Sequence, residues 1–210
     1  MHLPKLFKSE NFELLKEIIK ENSFSSLITY KERIISTKAM MQINELGDNF
    51  FIIETHINKV SPIAKKIEEG DEVLCDFLGA HTYISSSWYD HINVSTWNYE
   101  EIQIYGRVEI MSDKELYNHL KKLTDYFELP QKCPITTERM GAEFVEQEMK
   151  GALGLKIIPT EIKIKQKLSQ NRDEVNFQRI INKLKESNSQ MDNIISEKMD
   201  KLKGRKTTNR

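Results

Sequence analysis

The chain has 210 residues, which suits one domain of ordinary size with an appendage, or at most two small domains. Hydrophobic residues make up 39% of the chain and aromatic residues 9%, a composition that excludes global disorder. The 31 basic residues nearly balance the 32 acidic ones, which argues against a general nucleic-acid binder, and no stretch approaches the roughly 18 apolar residues of a membrane span.

The first quarter of the chain predicts one helix followed by three strands. Phe12, Leu15 and Ile18 recur at helical spacing, which predicts a helix over residues 9–22. Runs rich in β-branched and aromatic residues then predict three strands, at residues 24–30, 33–43 and 49–57. Gly47 and Asp48 form the turn signal that precedes the third of these strands.

The middle of the chain predicts a short helix and two strands. Residues 61–70, SPIAKKIEEG, have a capping serine, a proline at the first helical position and a glycine at the end, so they predict a helix. Residues 72–85 are apolar almost throughout, which predicts a strand that is buried on both faces. Residues 96–110 alternate well enough to predict another strand.

Two helices and a last strand are predicted before residue 170. Ser112, answered by a glutamate three residues on, forms a capping box that opens a helix over residues 112–123. Another helix is predicted over 137–151, and alternation over 155–169 predicts a strand with one wet or ligand-facing side. About six strands with mostly short connections indicate a largely antiparallel, Greek-key type barrel.

Residues 173–210 differ in composition from the rest of the chain. Phe177 is the only aromatic residue there, and a spacing of about 3.5 residues predicts an amphipathic helix. Its seam consists of Phe177, Ile181, Leu184, Asn188, Met191, Ile195, Lys198 and Leu202. We expect this helix to pack on its own body or on a dimer partner, and the alternative is a helix that binds another protein or nucleic acid through its basic end.

The common catalytic signatures are absent from the sequence. No G-x-G-x-x-G, G-x-x-x-x-G-K, H-E-x-x-H or G-x-S-x-G motif occurs. His81 and His91 flank the YISSSWY segment, but no third ligand stands at a suitable spacing, so no metal site is predicted. Cys75 and Cys133 lack CxxC spacing, and the start has no apolar signal segment, which predicts a reduced, cytoplasmic protein.

The segment HTYISSSWYDHINVSTWNYEEIQIYG, residues 81–106, contains both tryptophans and four of the seven tyrosines. Small hydroxyl and amide residues stand between these rings. A flat heteroaromatic ligand needs rings to stack on and a few donors and acceptors at its edge, and this segment supplies both. The alternative is that the rings fill a barrel core that is short of leucine, and the composition leaves both interpretations open.

Two further segments are suited to a phosphate. THINKVSP, residues 55–62, joins a strand to the predicted helix start and contains a histidine, an asparagine and a lysine. KLSQNR, residues 167–172, places one lysine, one arginine and small polar side chains at a strand end. Rings, a phosphate-binding helix start and a polar strand end together indicate a phosphorylated planar cofactor, and FMN fits best.

At these same segments the sequence resembles the PaiB-type FMN-binding negative transcriptional regulators, a family of the split-barrel flavin-binding superfamily. The matching motifs run from LPKLF near the start through ENSFSSLIT, THINKVSP, HTYISSSWY and STWNYEEIQIYG to KLSQNR. The resemblance implies a mainly β, α+β fold, a six-stranded split barrel with peripheral helices, in residues 1–172. It also implies a homodimer that binds FMN in a groove between its subunits.

Site residues follow from the resemblance in three groups. It places near the phosphate His56, Asn58 and Lys59. It places around the flavin ring Ser85, Trp88, Thr96, Trp97 and Asn98. It places at the closing strand end Lys167, Gln170, Asn171 and Arg172.

The resemblance favours a dimeric FMN-binding protein of the regulator type with little catalysis of its own. One alternative is a flavin-dependent reductase or oxidase, in which FMN would supply the redox chemistry. Another is a haem-binding or haem-degrading split-barrel protein, with His81 or His91 as an axial ligand. A barrel that binds nothing and works through protein contacts is the remaining alternative.

Overall fold

The computed structural model describes residues 1–47 and 50–208, with side chains described as far as Leu202. Among these residues the strands are β1 Lys8–Ser9, β2 Phe24–Tyr30, β3 Ile34–Gly47, β4 Phe50–Asn58, β5 Glu72–Ile84, β6 Thr96–Ile110 and β7 Ala152–Lys167. The helices are α1 Phe12–Glu21, α2 Asp113–Glu128, α3 Thr137–Met140, α4 Ala142–Met149, α5 Glu174–Lys185 and α6 Gln190–Thr208.

The strands form one sheet in the order β1-β7-β4-β3-β2-β5-β6, and β7 also pairs with β6. The pairings of β2 with β3 and β5, of β3 with β4, and of β7 with β4 and β1 are all antiparallel. Because the last strand in the order pairs back with β7, the six long strands close into an antiparallel barrel, with β1 as an extra edge strand. The predicted six-stranded barrel is confirmed.

The chain divides into two compact units, each assembled from segments that are distant in sequence. Unit 1 consists of Met1–Asn22, Phe77–Gln103 and Lys163–Arg210, and unit 2 consists of Ser23–Asp76 and Ile104–Ile162. Among the described residues no helix is both long and apolar enough to cross a membrane.

In unit 1 the C-terminal helices pack on the end of β5. Phe177, Ile181 and Leu184 of α5 are buried together with Ile195 and Met199 of α6. The same cluster includes residues Ala80, Ile84, Tyr89, Leu168 and Ile180. Of the arrangements that the sequence left open, the region packs on its own body, and it forms two helices because residues 186–189 interrupt the predicted seam.

In unit 2, helices α2 and α4 pack through a small apolar cluster of Met111, Leu116, Val145 and Met149. The predicted capping box is present at the start of α2: Ser112 accepts from the Glu115 N–H, and the Glu115 carboxylate accepts from the Ser112 N–H. A Cβ at Gly154 would lie 2.8 Å from the Met111 sulfur, so glycine allows β7 to approach this cluster closely.

Three predicted elements differ in the structure. Residues 61–66 form hydrogen-bonded turns and not the predicted 61–70 helix, because the Glu68 N–H donates to the Asp71 carboxylate and leaves the helical pattern. The predicted 137–151 helix is divided into α3 and α4 at Gly141, whose φ of 84° ends one helix before the next begins. Strand β5 is not buried on both faces, since Leu78 on its outer side is exposed.

Two smaller differences concern turns and edges. The predicted Gly47-Asp48 turn lies partly outside the described residues. Gly70, predicted to end a helix, has a φ of 81° and follows the turns at 61–66, so its left-handed conformation is present without the helix.

Candidate functional site

The outer face of β6 in unit 1 presents aromatic side chains. Successive residues of a strand point to opposite faces, so Trp97 and Tyr99 lie on one side and Asn98 and Glu100 on the other. Trp97 is 53% exposed, whereas Asn98 and Glu100 are fully buried. The Trp97 ring has Tyr83 at 6.1 Å in an edge-on arrangement and His81 at 6.2 Å, measured between ring centroids. The aromatic segment is therefore only partly core, because its second tryptophan faces outward.

Three cations gather beside this face, at the end of β7. The Lys165 ammonium lies 4.9 Å from the centroid of the Tyr99 ring, and the Lys167 ammonium lies 5.9 Å from the same ring. Arg172 lies over the Tyr89 ring at 4.9 Å. Burial lowers the pKa of Lys167, and the charges of Lys165 and Arg172 lower it further.

Nothing in the described chain neutralises this cluster. Among the described side chains, those of residues 1–47 and 50–202, no carboxylate forms an ion pair with Lys165, Lys167 or Arg172, although Lys165 is only 7% exposed. The Lys167 ammonium donates to the Thr96 hydroxyl, and the buried Nε of Arg172 has no hydrogen-bond partner. Uncompensated, partly desolvated cations with an unused donor are chemically suited to an anion such as a phosphate.

The turn after β7 shapes the same corner. Ser169 is the only non-glycine residue with a positive φ in the described chain, at 59°, and it is buried. Its hydroxyl donates to the Asn98 Oδ1 at 3.0 Å, and its carbonyl accepts from the Arg172 N–H at 2.9 Å. Gln170 holds the turn from the other side, donating to the Gln166 carbonyl and accepting from the Leu168 N–H. The backbone that directs Arg172 is thus fixed by side-chain hydrogen bonds.

The segment from Ser85 to His91 adjoins the cation cluster through Tyr89, the ring on which Arg172 lies, and we call this segment the wall. The Ser85 hydroxyl accepts from the Ser87 N–H and caps a single 3₁₀ turn at Ser86–Trp88. A cavity of about 470 Å³ opens beside it, a size within the range of small-molecule sites. Its lining residues are Ser86, Ser87, Tyr89, Asp90, His91, Ile92 and Asn93.

The structure brings most of the ring and strand-end predictions together in unit 1. Trp97 lies on the same side of β6 as Tyr99, Lys167 and Arg172 lie over the Tyr99 and Tyr89 rings, and Thr96 accepts from the Lys167 ammonium. Asn171 is exposed at the turn. Trp88 is packed partly against the core cluster. Asn98 points inward, where its amide lies 3.5 Å from the Met199 sulfur, so it supports the turn from inside the unit.

His56, Asn58 and Lys59 lie in unit 2, at the end of β4 and just after it. The His56 Nδ1 is 3.1 Å from the His119 Nε2, and burial, followed by the His119 charge, lowers the pKa of His56 to about 4. Asn58 accepts from the Val60 N–H through its side chain. No α-helix begins there: residues 61–66 form turns, in which the Ser61 hydroxyl still accepts from the Ala64 N–H and the Ser61 carbonyl accepts from the Lys65 N–H, so the predicted capping contact is present without the helix.

Lys59 nevertheless lines a cavity of about 670 Å³ in unit 2. The other lining residues are Asp113, Lys114, Tyr117, Ala142, Glu146, Met149 and Lys150. Acidic and basic side chains are mixed there, which suits a phosphate less well than the three cations of unit 1.

No metal site is found in the described residues: no group of three or more histidine, cysteine, aspartate or glutamate side chains could hold an ion. His81 has its Nδ1 3.0 Å from the Gly79 carbonyl, and His91 lies between Asp90 and Asn93. Cys75 and Cys133 are both unpaired.

Sequence reasoning missed Lys165, the most buried of the three cations. The alternation of IKIKQK, residues 162–167, placed Lys163, Lys165 and Lys167 on one face of the strand, and this alternation was the signal in the sequence that could have identified Lys165. Which of these lysines would be covered by a neighbouring ring depends on the pairing with β6, and the alternation of one strand does not contain that information.

The comparisons with known proteins support an FMN-binding domain. A family model described as "Putative FMN-binding domain" matches residues 1–164. The Bacillus subtilis (strain 168) protein named "Protease synthase and sporulation protein PAI 2" is 33% identical over 205 residues, which cover 97% of this chain and 99% of that relative.

Two solved structures share the fold. A FAD and heme binding protein from Mycobacterium smegmatis matches with a TM-score of 0.57 and 15% identity, covering 81% of this chain and 78% of its own. A conserved hypothetical protein from Mycobacterium tuberculosis matches with a TM-score of 0.58 and 12% identity, covering 83% of this chain and 95% of its own. The predicted split-barrel fold is confirmed.

Proposed function

The chain belongs to the FMN-binding-domain family that its residues 1–164 match, as a PaiB-type protein, and from this premise we propose where the cofactor sits. The phosphate of FMN binds at Lys165, Lys167 and Arg172, and the flavin ring lies along the outer face of β6 against Trp97. Flavin supplies redox chemistry when it is bound. Ser85, Trp88, Thr96, Gln170 and Asn171 surround or support this position.

One observation supports the placement most directly. Three cations that repel one another are held together by the Tyr99 and Tyr89 rings, and within the described residues no carboxylate compensates them. Such an arrangement is unfavourable in the absence of an anion, because each partly buried charge loses hydration without gaining an opposite charge. A dianionic phosphate would remove that penalty.

We also propose that the protein acts as a homodimer in the cytoplasm and takes part in the processes for which its Bacillus subtilis relative is named, protease synthesis and sporulation. Trp97, Ile92 and Val94 are exposed apolar side chains of unit 1 beside the proposed flavin position. A second copy of the chain would cover them and exclude water from the ring. The outer, charged sides of α5 and α6 stay available for a protein or nucleic-acid partner.

We expect Lys167→Ala, Arg172→Ala and Trp97→Ala each to weaken FMN binding by about ten- to a hundredfold, because each removes a charge-assisted contact or a stacking surface. Fluorescence titration of the purified apoprotein with FMN measures the dissociation constants. A flavin absorbance spectrum in the purified wild-type protein would agree with the proposal. A Soret band would instead show that the protein binds haem and not FMN.

Lys59→Ala decides between the two predicted phosphate positions. An effect of Lys59→Ala on FMN affinity greater than that of Lys167→Ala and Arg172→Ala would move the phosphate to the segment after β4. Lys183→Ala, on the exposed side of α5 with Glu186 as its partner, is the matched loss of one positive charge and should leave the affinity unchanged.

A further inference from the structure

Helix α5 lies beyond the residues that the family model matches, yet it contacts the wall of the proposed flavin site. The family match ends at residue 164, and α5 begins at Glu174. Three consecutive residues of the wall, Trp88, Tyr89 and Asp90, receive hydrogen bonds from two side chains of α5.

Arg179 binds the carbonyl groups of the wall. Its Nε donates to the Trp88 carbonyl at 2.9 Å, and its second nitrogen, Nη2, lies 3.5 Å from the Tyr89 carbonyl. A guanidinium has donors in a fixed plane, so contact with two successive carbonyls restrains the direction of the main chain more than a single donor would.

Asn176 binds the next residue of the wall. Its Oδ1 accepts from the Asp90 N–H at 3.0 Å, and its Nδ2 donates to the Asp90 carboxylate at 2.9 Å. Asn176 is buried, and its amide also donates to Asp173, the residue that caps α5. Its orientation is therefore fixed from two sides.

The segment has little regular structure of its own to maintain this conformation. Between β5 and β6 the described chain contains only the single turn at Ser86–Trp88. The side chain of Tyr89 is buried against Phe177 and its neighbours, and its ring is the surface on which Arg172 lies. A shift of residues 88–90 would move that surface and with it the Arg172 guanidinium.

We infer that Asn176 and Arg179 are positioning residues that fix residues 88–90 and so place Trp88 and the Tyr89–Arg172 pair of the flavin site. The effect of Asn176 and Arg179 on the flavin site rests on the proposed function. Their positioning of residues 88–90 does not depend on it. Helix α5 thus supports the cofactor site through residues 88–90.

The test compares Arg179→Ala, Arg179→Lys and Asn176→Ala with wild type and with Lys183→Ala on the same helix. We expect about tenfold weaker FMN binding for Arg179→Ala and Asn176→Ala, partial recovery with Arg179→Lys, and no change for the control. Dissociation constants are measured well below every thermal midpoint, so that each variant is folded during the titration. Wild-type affinity in both alanine variants would overturn the inference.

A second readout does not need the cofactor. In a Trp97→Phe background Trp88 is the remaining tryptophan, and its emission reports on the segment. Arg179→Ala should shift this emission to longer wavelength and raise its quenching by acrylamide, whereas a lowered midpoint with unchanged emission would mean a structural role only. If wild-type protein fails to bind FMN, the proposed function is wrong, and the Trp88 emission alone then decides the inference.

Discussion

His56 lies on β4 with its imidazole half-buried against His119 of α2. Burial comes first among the reasons for its low pKa of about 4, and repulsion by His119 adds to it. His119 in turn lies 3.8 Å from a Glu54 carboxylate oxygen and is the main reason that the pKa of Glu54 is lowered. At neutral pH His56 is therefore uncharged, and it offers a phosphate no positive charge.

The low pKa of His56 predicts a pH-dependent stability. The unfolded chain takes up a proton at His56 near its ordinary pKa of 6.5, whereas the folded protein takes it up only near 4. The unfolded state binds more protons in this interval, so stability falls as the pH decreases from about 6.5 to 4. We expect His56 to contribute about 1–3 kcal/mol of this loss, as measured by urea unfolding at a series of pH values.

His56→Gln should flatten the stability profile over that interval, and His2→Gln, at an exposed position, should leave it unchanged. The pKa of Glu54 is lowered from its ordinary 4.5, mainly by its hydrogen bond with His119, so its stabilisation is lost only as the pH falls below about 4.5, at the acid end of the interval in which His56 acts. A His56→Gln profile as steep as that of wild type would contradict the assignment.

His56 and Lys165 also show what residue types can and cannot predict. Both types suit a phosphate, and both segments were recognisable from the sequence. The pairing of β7 with β6 places the Tyr99 ring beside the Lys165 ammonium. The packing of α2 on β4 places His119 against His56, which keeps the His56 imidazole uncharged at neutral pH. Burial and neighbours are set by tertiary contacts, and a single sequence does not contain them.

Strand β6 lies unusually close to the neighbouring strand β7 at Gly106. A Cβ built there would lie 2.5 Å from the Ile157 Cγ2 and 2.7 Å from the Ile158 carbonyl oxygen, both on β7. The second of these is a backbone atom, so the strand itself would have to move. Glycine at this position allows β6 and β7 to pair and so to close the barrel.

We expect Gly106→Ala to destabilise the protein by about 1–3 kcal/mol, because a methyl group would be forced into the backbone of the neighbouring strand. Urea unfolding followed by circular dichroism measures this change. Gly151→Ala is the matched control, since its Cβ would meet only the Glu148 carbonyl at an ordinary 3.6 Å, and it should change stability by less than about 0.5 kcal/mol. Equal stability of the two variants would contradict the close approach.

Elements with a strong periodic pattern were predictable, and those that depend on one competing contact were not. The predicted strand at 96–110 coincides with β6, and the Ser112 capping box opens α2. The helix at 61–70 fails although its end signals are good, because a short helix has little stability of its own and Asp71 competes for a backbone donor. The interruption at 186–189 lies within a seam that already had a polar residue at position 188.

At the scale of the whole molecule the fold class was predictable but the compact units were not. Short connections between strands already favour an antiparallel barrel. Unit 1, by contrast, joins the two ends of the chain to its middle, residues 77–103, so no change in composition along the sequence marks its limits. The proposed site residues of unit 1 come from two of these three segments.

The exposed apolar side chains of unit 1 lead to a prediction about assembly. Ile92 is fully exposed, and Val94 and Trp97 are largely so, which is unusual for three apolar residues so close in the chain. If a second copy covers them, analytical ultracentrifugation of the wild-type protein should give a molecular mass of twice the 24.7 kDa of one chain. Ile92→Asp combined with Val94→Asp should give a single chain, because two charges would be buried in the interface.

The same double variant tests whether the partner copy completes the cofactor site. Leu129→Asp changes an equally apolar, exposed residue of unit 2 and should leave the sedimentation coefficient unchanged. A monomeric double variant with FMN affinity about tenfold below that of wild type would mean that the second copy shields the ring, since an exposed flavin loses part of its apolar contact. A monomeric wild-type protein that binds FMN fully would instead show that the cations of one chain and its Trp97 suffice.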